Sequence, residues 1–285
     1  MEYCSPILGT SKTPYMLTNF IYRSFKSGFF RKALWKFTYE VLPRINGSSD
    51  WQFMNYGYDP TEQELTDTVL NQDGFQWRSR AMYHCLARKQ SLQGKDVLEV
   101  GFGRGGGLSH VARTFAPSRC VGIDFSNSAV KLARRIHRDA PVEYRWGDAT
   151  HMDLPSESFD VVLNVESSHA YNDLDAFFKE VYRVLKPKGH LLLVDLRTQE
   201  NWTIFYKSLD RAGLNIQEEE NISQQVISAI EKDEPLKQAQ IDGKIPKPFR
   251  SIFREFAGMV NSELHVSLKE GRRAYKRFVI TRRGN

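Results

Sequence analysis

An acidic residue followed at once by a run of glycines, Glu99-Val100-Gly101-Phe102-Gly103-Arg104-Gly105-Gly106-Gly107, carries the densest chemistry in this chain. Glycines at 101, 103 and 105 permit positive φ and let a ligand approach the main chain closely. By itself such a loop also serves as a dinucleotide-binding turn, or as a tight turn with no ligand. The acid narrows the choice: a carboxylate at Glu99 would repel a pyrophosphate and suits a cationic amino group. Two further acids have matching chemistry. Asp124 can accept both hydroxyls of a ribose, in charge-assisted hydrogen bonds worth about 1.5–3 kcal/mol each. Asp148, in Gly147-Asp148-Ala149, can accept from an adenine amino group. Taken singly, each acid reads equally well as a solvated loop residue. Their meaning comes from the elements that carry them.

From residue 94 onward, apolar runs of strand length alternate with helical stretches. Residues 96–100, 120–124, 142–146, 159–165 and 190–196 predict five strands. Residues 106–115, 126–138 and 173–185 predict the helices between them, with Ser126 a good N-cap. Lys186-Pro187-Lys188-Gly189 predicts a turn, proline stopping the helix and glycine closing it. Continuous Val/Ile/Leu runs separated by helices imply an α/β fold with a mostly parallel, doubly wound sheet. Ligands in such sheets lie beyond the carboxyl ends of the strands. Glu99, Asp124, Asp148, the stretch 164–171 and Asp195 all fall there. A sixth strand is expected over 215–221 and a last one over 275–281. Two long segments lie outside this alternation. Residues 1–75 are expected to form an N-terminal helical cap, and 222–270 a helical lid inserted into a core spanning 76–285.

With these motifs in order, the sequence resembles the class I S-adenosylmethionine-dependent methyltransferases. EVGFGRG is similar to their first motif, and DFSNSAV, GDATHMDLPSESFDVVLNVESSHAY and VYRVLKPKGHLLLVD follow in the family's order. MNYGY together with NVESSHAY resembles small-molecule O-methyltransferases of polyketide-type natural products, such as the phthiotriolone methyltransferases. The N-terminal stretch YMLTNFIYRSFKSGFFRKALWKFTYEVLPRI resembles above all the cyanobacterial O-methyltransferases that mature the Adda side chain of microcystin and nodularin. The resemblance implies a Rossmann-like, seven-stranded, mostly parallel sheet with helical cap segments. It implies S-adenosylmethionine as cofactor, leaving as S-adenosylhomocysteine. Glu99, Gly101 and Gly103 would line its methionine and ribose part, Asp124 would bind the ribose, and Phe125 would pack beside the adenine. Asp148 and Ala149 would hold the adenine edge, Asn164 and Glu166 would border the methionyl end, and Tyr56 and Tyr58 would close over the cofactor. Arg104 fills a variable slot, open to a cofactor contact or a surface position.

Methyl transfer from a sulfonium asks an enzyme chiefly for alignment and exclusion of water, because the leaving group is already good. A hydroxyl nucleophile must also lose a proton, and histidine is the usual base. Of the 7 histidines, none has metal-ligand spacing, so no metal is expected. His110 and His137 are expected to be solvated on surface helices, and His190 to be structural. His169 lies in the loop after the fourth strand, where the acceptor must sit, and is the expected general base. Asp195, ending the fifth strand, is its expected partner, with Glu166 as the substitute.

Composition bounds the remaining choices. The chain has 285 residues, of which 41% are hydrophobic and 26% charged, with a net charge of +6. That is globular composition with a mild basic excess, compatible with an anionic partner without requiring one. Three cysteines are too few and scattered for a disulfide framework and read as reduced thiols in a cytoplasmic protein. No apolar run approaches the ~20 residues needed to cross a bilayer. Aromatics between Phe20 and Tyr58 can roof an apolar tunnel or simply pack on the sheet layer. The expected reaction is O-methylation of a bulky apolar polyketide or peptide alcohol, possible presentation on a carrier protein included. Two other transferases stay open: a C-methyltransferase acting on a prenyl or sterol-like chain, and an RNA methyltransferase. No appended RNA-binding module is visible, and nucleic acid is not an expected partner. A cofactor-binding regulatory protein is the non-enzymatic alternative.

Overall fold

The computed structural model describes residues 51–66, 70 and 72–283. Most of the expected N-terminal cap, with its aromatic and basic stretch, lies outside the described residues. The elements are, in chain order, α1 (Glu62–Thr66), α2 (Trp77–Ala87), β1 (Asp96–Val100), α3 (Gly106–Phe115), β2 (Arg119–Asp124), α4 (Asn127–Ile136), β3 (Glu143–Trp146), β4 (Phe159–Val165), α5 (Leu174–Val184), β5 (Leu185–Thr198), α6 (Gln199–Arg211), β6 (Leu214–Asn221), α7 (Ser223–Lys244), α8 (Arg250–Phe256), α9 (Glu263–Lys269) and β7 (Arg273–Arg282).

The strands form one seven-stranded sheet in the order β3-β2-β1-β4-β5-β7-β6. Neighbours from β3 to β5 pair in parallel, and β7 runs antiparallel to both β5 and β6. This is the Rossmann-like arrangement expected of the sequence. Strand order reverses between β1 and β4, which places the ligand crevice there. Both faces of the sheet are covered, so the strands alternate between two apolar layers. Val97, Val161 and Leu192 pack in one layer, Leu98, Val162 and Leu193 in the other.

Caps set the helix starts that follow the site loops. Ser126 Oγ accepts the Ala129 amide at 3.2 Å, and Asp173 Oδ1 accepts the Ala176 amide at 2.8 Å. Each satisfies a free N–H of the first turn.

The Lys186–Gly189 segment departs from a simple turn. It is carried within β5, where the register jumps from Phe159↔Leu185 to Val161↔His190. The positive φ falls on Lys188, at 63°, and not on the glycine. Gly189 is required for space instead: a Cβ there would lie 2.9 Å from the Lys186 carbonyl oxygen and 3.0 Å from that of Asp160.

Between β6 and β7 the chain is helical, through α7, α8 and α9. An ion-pair network ties α7 to the segment that precedes the sheet. Arg78 of α2 reaches Asp59 at 2.9 Å and Asp233 of α7 at 2.6 Å, while Lys232 of α7 reaches Asp59 at 2.6 Å. Gln76 fixes the start of that segment, its Oε1 accepting the amides of Gln52 and Phe53 and its Nε2 donating to the Phe53 carbonyl.

Candidate active site

The glycine loop leaves β1 in a conformation only glycine accepts easily. Gly101 has φ 79°, and a Cβ on it would lie 1.8 Å from Ser167 Oγ. The loop thus packs directly against the chain that follows β4. Gly103, also at positive φ, donates its amide to Asp124 Oδ2 at 2.8 Å, and Ser126 donates its amide to Asp124 Oδ1 at 2.9 Å. Burial pushes the Asp124 carboxyl up to about 6 in spite of those two amides.

Glu99 is fully buried. Its Oε1 accepts the Tyr83 hydroxyl at 2.7 Å, while Oε2 has no hydrogen-bond partner. Burial pushes this carboxyl up to about 8; the Tyr83 bond and the Leu108 amide work against that shift and the Asp124 charge adds to it. A buried carboxylate oxygen without a donor fits a cationic amino group brought by a ligand, because such a group supplies both charge and hydrogen bond.

Farther along the strand ends, Phe125 and Trp146 are 69% and 53% exposed, with ring centroids 5.9 Å apart. Trp146 Nε1 donates to the Phe125 carbonyl at 3.0 Å, which holds the two rings as one apolar rim. Trp146 was not singled out by sequence, although it is the strand-end residue just before Gly147-Asp148. Asp148 is partly committed: its Oδ1 accepts the amide and hydroxyl of Thr150 at 2.8 and 2.7 Å. Ala149 packs, partly buried, against the apolar layer around Met152 and Leu154.

After β4 the chain forms a compact polar knot. Asn164 is fully buried. Its Nδ2 donates to the Val100 carbonyl at 2.9 Å and its Oδ1 accepts the Ser168 amide at 3.3 Å, so it brackets the ends of β1 and β4 together. Glu166 stands at φ 50°, a conformation uncommon for a side chain of its size and often found at functional sites. Its Oε1 accepts the Tyr56 amide at 3.0 Å. Burial raises the Glu166 carboxyl to about 7, against the Tyr275 hydroxyl, the Tyr56 amide and the His169 charge.

His169 occupies a single helical turn, Ser168–Ala170. Its Nδ1 donates to Asp195 Oδ1 at 2.6 Å, and its side chain is 30% exposed whereas that of Asp195 is fully buried. Burial alone would lower the His169 pKa; the Asp195 charge and hydrogen bond, with Glu166, raise it overall. Asp195 is held at about 2, burial being outweighed by His169 and Arg197. With Nδ1 engaged, Nε2 is the nitrogen left to take a proton.

Met54 and Tyr56 lie over these loops. Met54 Cγ would be 3.4 Å from a Cβ on Gly103, and the Gln52 carbonyl accepts the Gly106 amide at 3.2 Å. The Tyr56 amide meets the loop after β4 through Glu166 Oε1. Tyr58 is turned into the core, 1% exposed, with its hydroxyl donating to Glu64 Oε2 at 2.6 Å.

Two histidine readings are corrected. His137 is buried and donates Nε2 to the Arg104 carbonyl at 3.0 Å. His110 meets His84 at 3.2 Å between α3 and α2, and burial lowers its pKa to about 3. His110 lies on α3 and His137 just past the end of α4, each against a further element. Arg104 is 7% exposed, so it is not a surface arginine. Among the described residues, no cluster of three or more His, Cys, Asp and Glu side chains is arranged as a metal site.

Comparison with known proteins settles the family. The methyltransferase domain model matches residues 98–193. The phthiotriol/phenolphthiotriol dimycocerosates methyltransferase of Mycobacterium tuberculosis is 32% identical over 252 residues, 88% of this chain and 93% of that protein. The chain belongs to the S-adenosylmethionine-dependent methyltransferases. The fatty-acid O-methyltransferase of Mycolicibacterium smegmatis is 34% identical over 221 residues, 78% of this methyltransferase and 80% of its relative. Solved structures share the fold. Geranyl diphosphate C-methyltransferase from Streptomyces coelicolor superposes with TM-score 0.60 at 16% identity, covering 86% of this chain and 97% of that one. The cyclase SpnF superposes with TM-score 0.65 at 18% identity, covering 89% and 95%. The protein is thus an enzyme of the methyltransferase class.

Proposed function

We propose that this methyltransferase moves a methyl group from S-adenosylmethionine to an oxygen of a bulky apolar acceptor, with His169 as general base. The observation that carries the proposal is the 2.6 Å contact between His169 Nδ1 and Asp195 Oδ1, beside the loop that packs on Gly101.

Bound S-adenosylmethionine supplies a methyl group on a sulfonium with a good leaving group. The chain does the rest. Glu99 Oε2 would take the α-amino group, and Asp124 the ribose hydroxyls, next to the backbone of Gly101 and Gly103. Phe125 and Trp146 would flank the adenine, with Asp148 and Ala149 at its edge. Asn164 holds the loop after β4 in place, and Glu166 borders the methionyl end. Tyr56 covers this side of the site; Tyr58 supports it from the core. His169 removes the acceptor proton through Nε2, and Asp195 keeps the tautomer that leaves Nε2 free. A positioned base contributes about 10²–10⁴-fold.

The acceptor is read as a hydroxyl on a polyketide or peptide chain, presented free or on a carrier protein. Relatives named for phthiotriol lipids and for fatty acids support an apolar acceptor. The Adda side chain remains one such acceptor. The test is incubation with labelled S-adenosylmethionine and a panel of long-chain alcohols, fatty acids and Adda-type alcohols, followed by product mass spectrometry. An O-methyl ether on an apolar alcohol is expected; a methyl ester on a fatty acid alone, whose carboxylate has no proton to give up, would reject His169 as base. Methyl attached only to carbon would reject the oxygen reading.

A further inference from the structure

Arg197 stands two residues beyond Asp195 on β5, and alternate residues of a strand project to the same side. It is 7% exposed. Its Nη2 donates to Asp195 Oδ2 at 3.0 Å and to Ser168 Oγ at 2.7 Å. Its guanidinium lies over Trp202 and Phe205, 5.5 and 5.2 Å from the ring centroids. Aromatic faces there support a cation that has left water.

Every acceptor direction of Asp195 is in use. Oδ1 accepts from His169 at 2.6 Å and from the Leu196 amide at 2.8 Å, and Oδ2 accepts from Ser168 Oγ at 2.6 Å and from Arg197. One buried carboxylate therefore serves two cations, one permanent and one titratable. Ser168 is hydrogen-bonded to both Arg197 and Asp195 and directly precedes His169, so the turn bearing the imidazole is pinned to β5.

We infer that Arg197 is a positioning residue for methyl transfer: it locks the Ser168–His169 turn and offsets the Asp195 charge that would otherwise hold a proton on the imidazole. This rests on the reading of His169 as base. The charges that face His169 are Asp195 and Arg197 from β5 and Glu166 from the end of β4. Tyr275 of β7 faces Glu166 and Asp195, and Lys237 of α7 faces Glu166. Of these charges, Arg197 works with burial to lower the basicity of His169.

The experiment compares the pH dependence of kcat/KM for wild type, Arg197→Gln, Arg197→Met and Arg197→Lys, with cofactor affinity measured alongside. Gln can still donate to Asp195 and Ser168 but carries no charge. Its acid limb is expected to move about one pH unit upward, so that activity on the acid side falls about tenfold while the alkaline plateau is largely kept. Met, which keeps apolar contact with Trp202 and Phe205, is expected to move the limb the same way, and Lys to leave it in place. An acid limb unmoved in both neutral variants, with the rate lowered equally at every pH, would show a merely structural arginine and overturn the inference. His169→Gln separates the two claims. If it keeps the wild-type limb, the base assignment fails; if it loses the limb while Arg197→Gln does not move it, only the role of Arg197 fails.

Discussion

His169 and Asp195 lie 26 positions apart and meet Nδ1 to Oδ1 at 2.6 Å, one on the turn after β4 and the other on β5, one residue past the last parallel pair of β5 with β4. Adjacent parallel strands end side by side, so a base on one loop and its carboxylate on the next strand end need no special chain path. The imidazole side chain is 30% exposed and the carboxylate fully buried, which leaves one nitrogen for an acceptor. His169→Ala should therefore lower turnover by about 10²–10⁴-fold. Cofactor affinity by calorimetry should change little. Turnover within about threefold of wild type would remove His169 from the mechanism.

Asp195→Asn should affect both rate and stability. The amide cannot hold the imidazole in the required tautomer as a carboxylate does, so kcat should fall at least about 10²-fold. It also leaves Arg197 buried without its counter-charge, at a cost of about 3–5 kcal/mol. The pH sign follows from a carboxyl held at about 2. A depressed folded-state pKa gives stability that is present above the unfolded value near 3.9 and is lost as pH falls toward 2. Denaturant unfolding should show wild type losing stability over that acid range and Asp195→Asn losing less. Equal acid sensitivity in the two proteins would contradict this.

Much of this site could be read in the sequence, for a physical reason. Parallel strands buried on both faces are continuous apolar runs, so their ends are visible, and Glu99, Asp124 and Asp195 are polar residues near those ends, with His169 in the turn just after β4. What could not be read came from outside that pattern. Tyr83 lies on α2, which buries every residue from Ala81 to Ala87 and so shows no single apolar face. His110 and His137 lie on or just beyond helices whose apolar period marks the face toward the sheet only; their partners His84 and the Arg104 carbonyl approach from other elements. Arg197 follows Asp195 closely in sequence, yet its role depends on Ser168 and on Trp202 and Phe205, which only folding brings together.

Glu99 should make the cofactor-free enzyme less stable as pH rises. Its folded carboxyl sits at about 8, raised by burial. An acid whose pKa is raised on folding keeps its proton longer in the native state than in the unfolded chain. Stability from that difference is present below the unfolded value near 4.3 and is lost as pH climbs through about 8, at no more than about 1.4 kcal/mol per pH unit for one proton. Glu166, raised to about 7, adds in the same direction. Denaturant unfolding between about pH 5 and 8 should show a falling free energy in wild type and a shallower fall in Glu99→Gln. A slope identical in both proteins would mean that Glu99 does not carry the effect.

Tyr83 offers the sharpest test of how the cofactor's amino group is held. Its hydroxyl donates to Glu99 Oε1 at 2.7 Å and so occupies one carboxylate oxygen, while Oε2 has no partner. The tyrosine ring also closes on the glycine loop: a Cβ on Gly107 would lie 2.0 Å from it. Tyr83→Phe keeps that ring and deletes only the hydrogen bond. A hydrogen bond to a charged group is worth about 1.5–3 kcal/mol, which corresponds to about 10–100-fold in affinity. Without it the Glu99 carboxyl rises further, and S-adenosylmethionine should bind about tenfold or more weakly near neutral pH. Raising the pH should recover part of the loss, because Glu99 ionises again. At saturating cofactor, kcat should stay within about threefold, since neither His169 nor Asp195 touches Tyr83. Calorimetry giving an unchanged Kd would show that Glu99 is not the group that receives the ammonium.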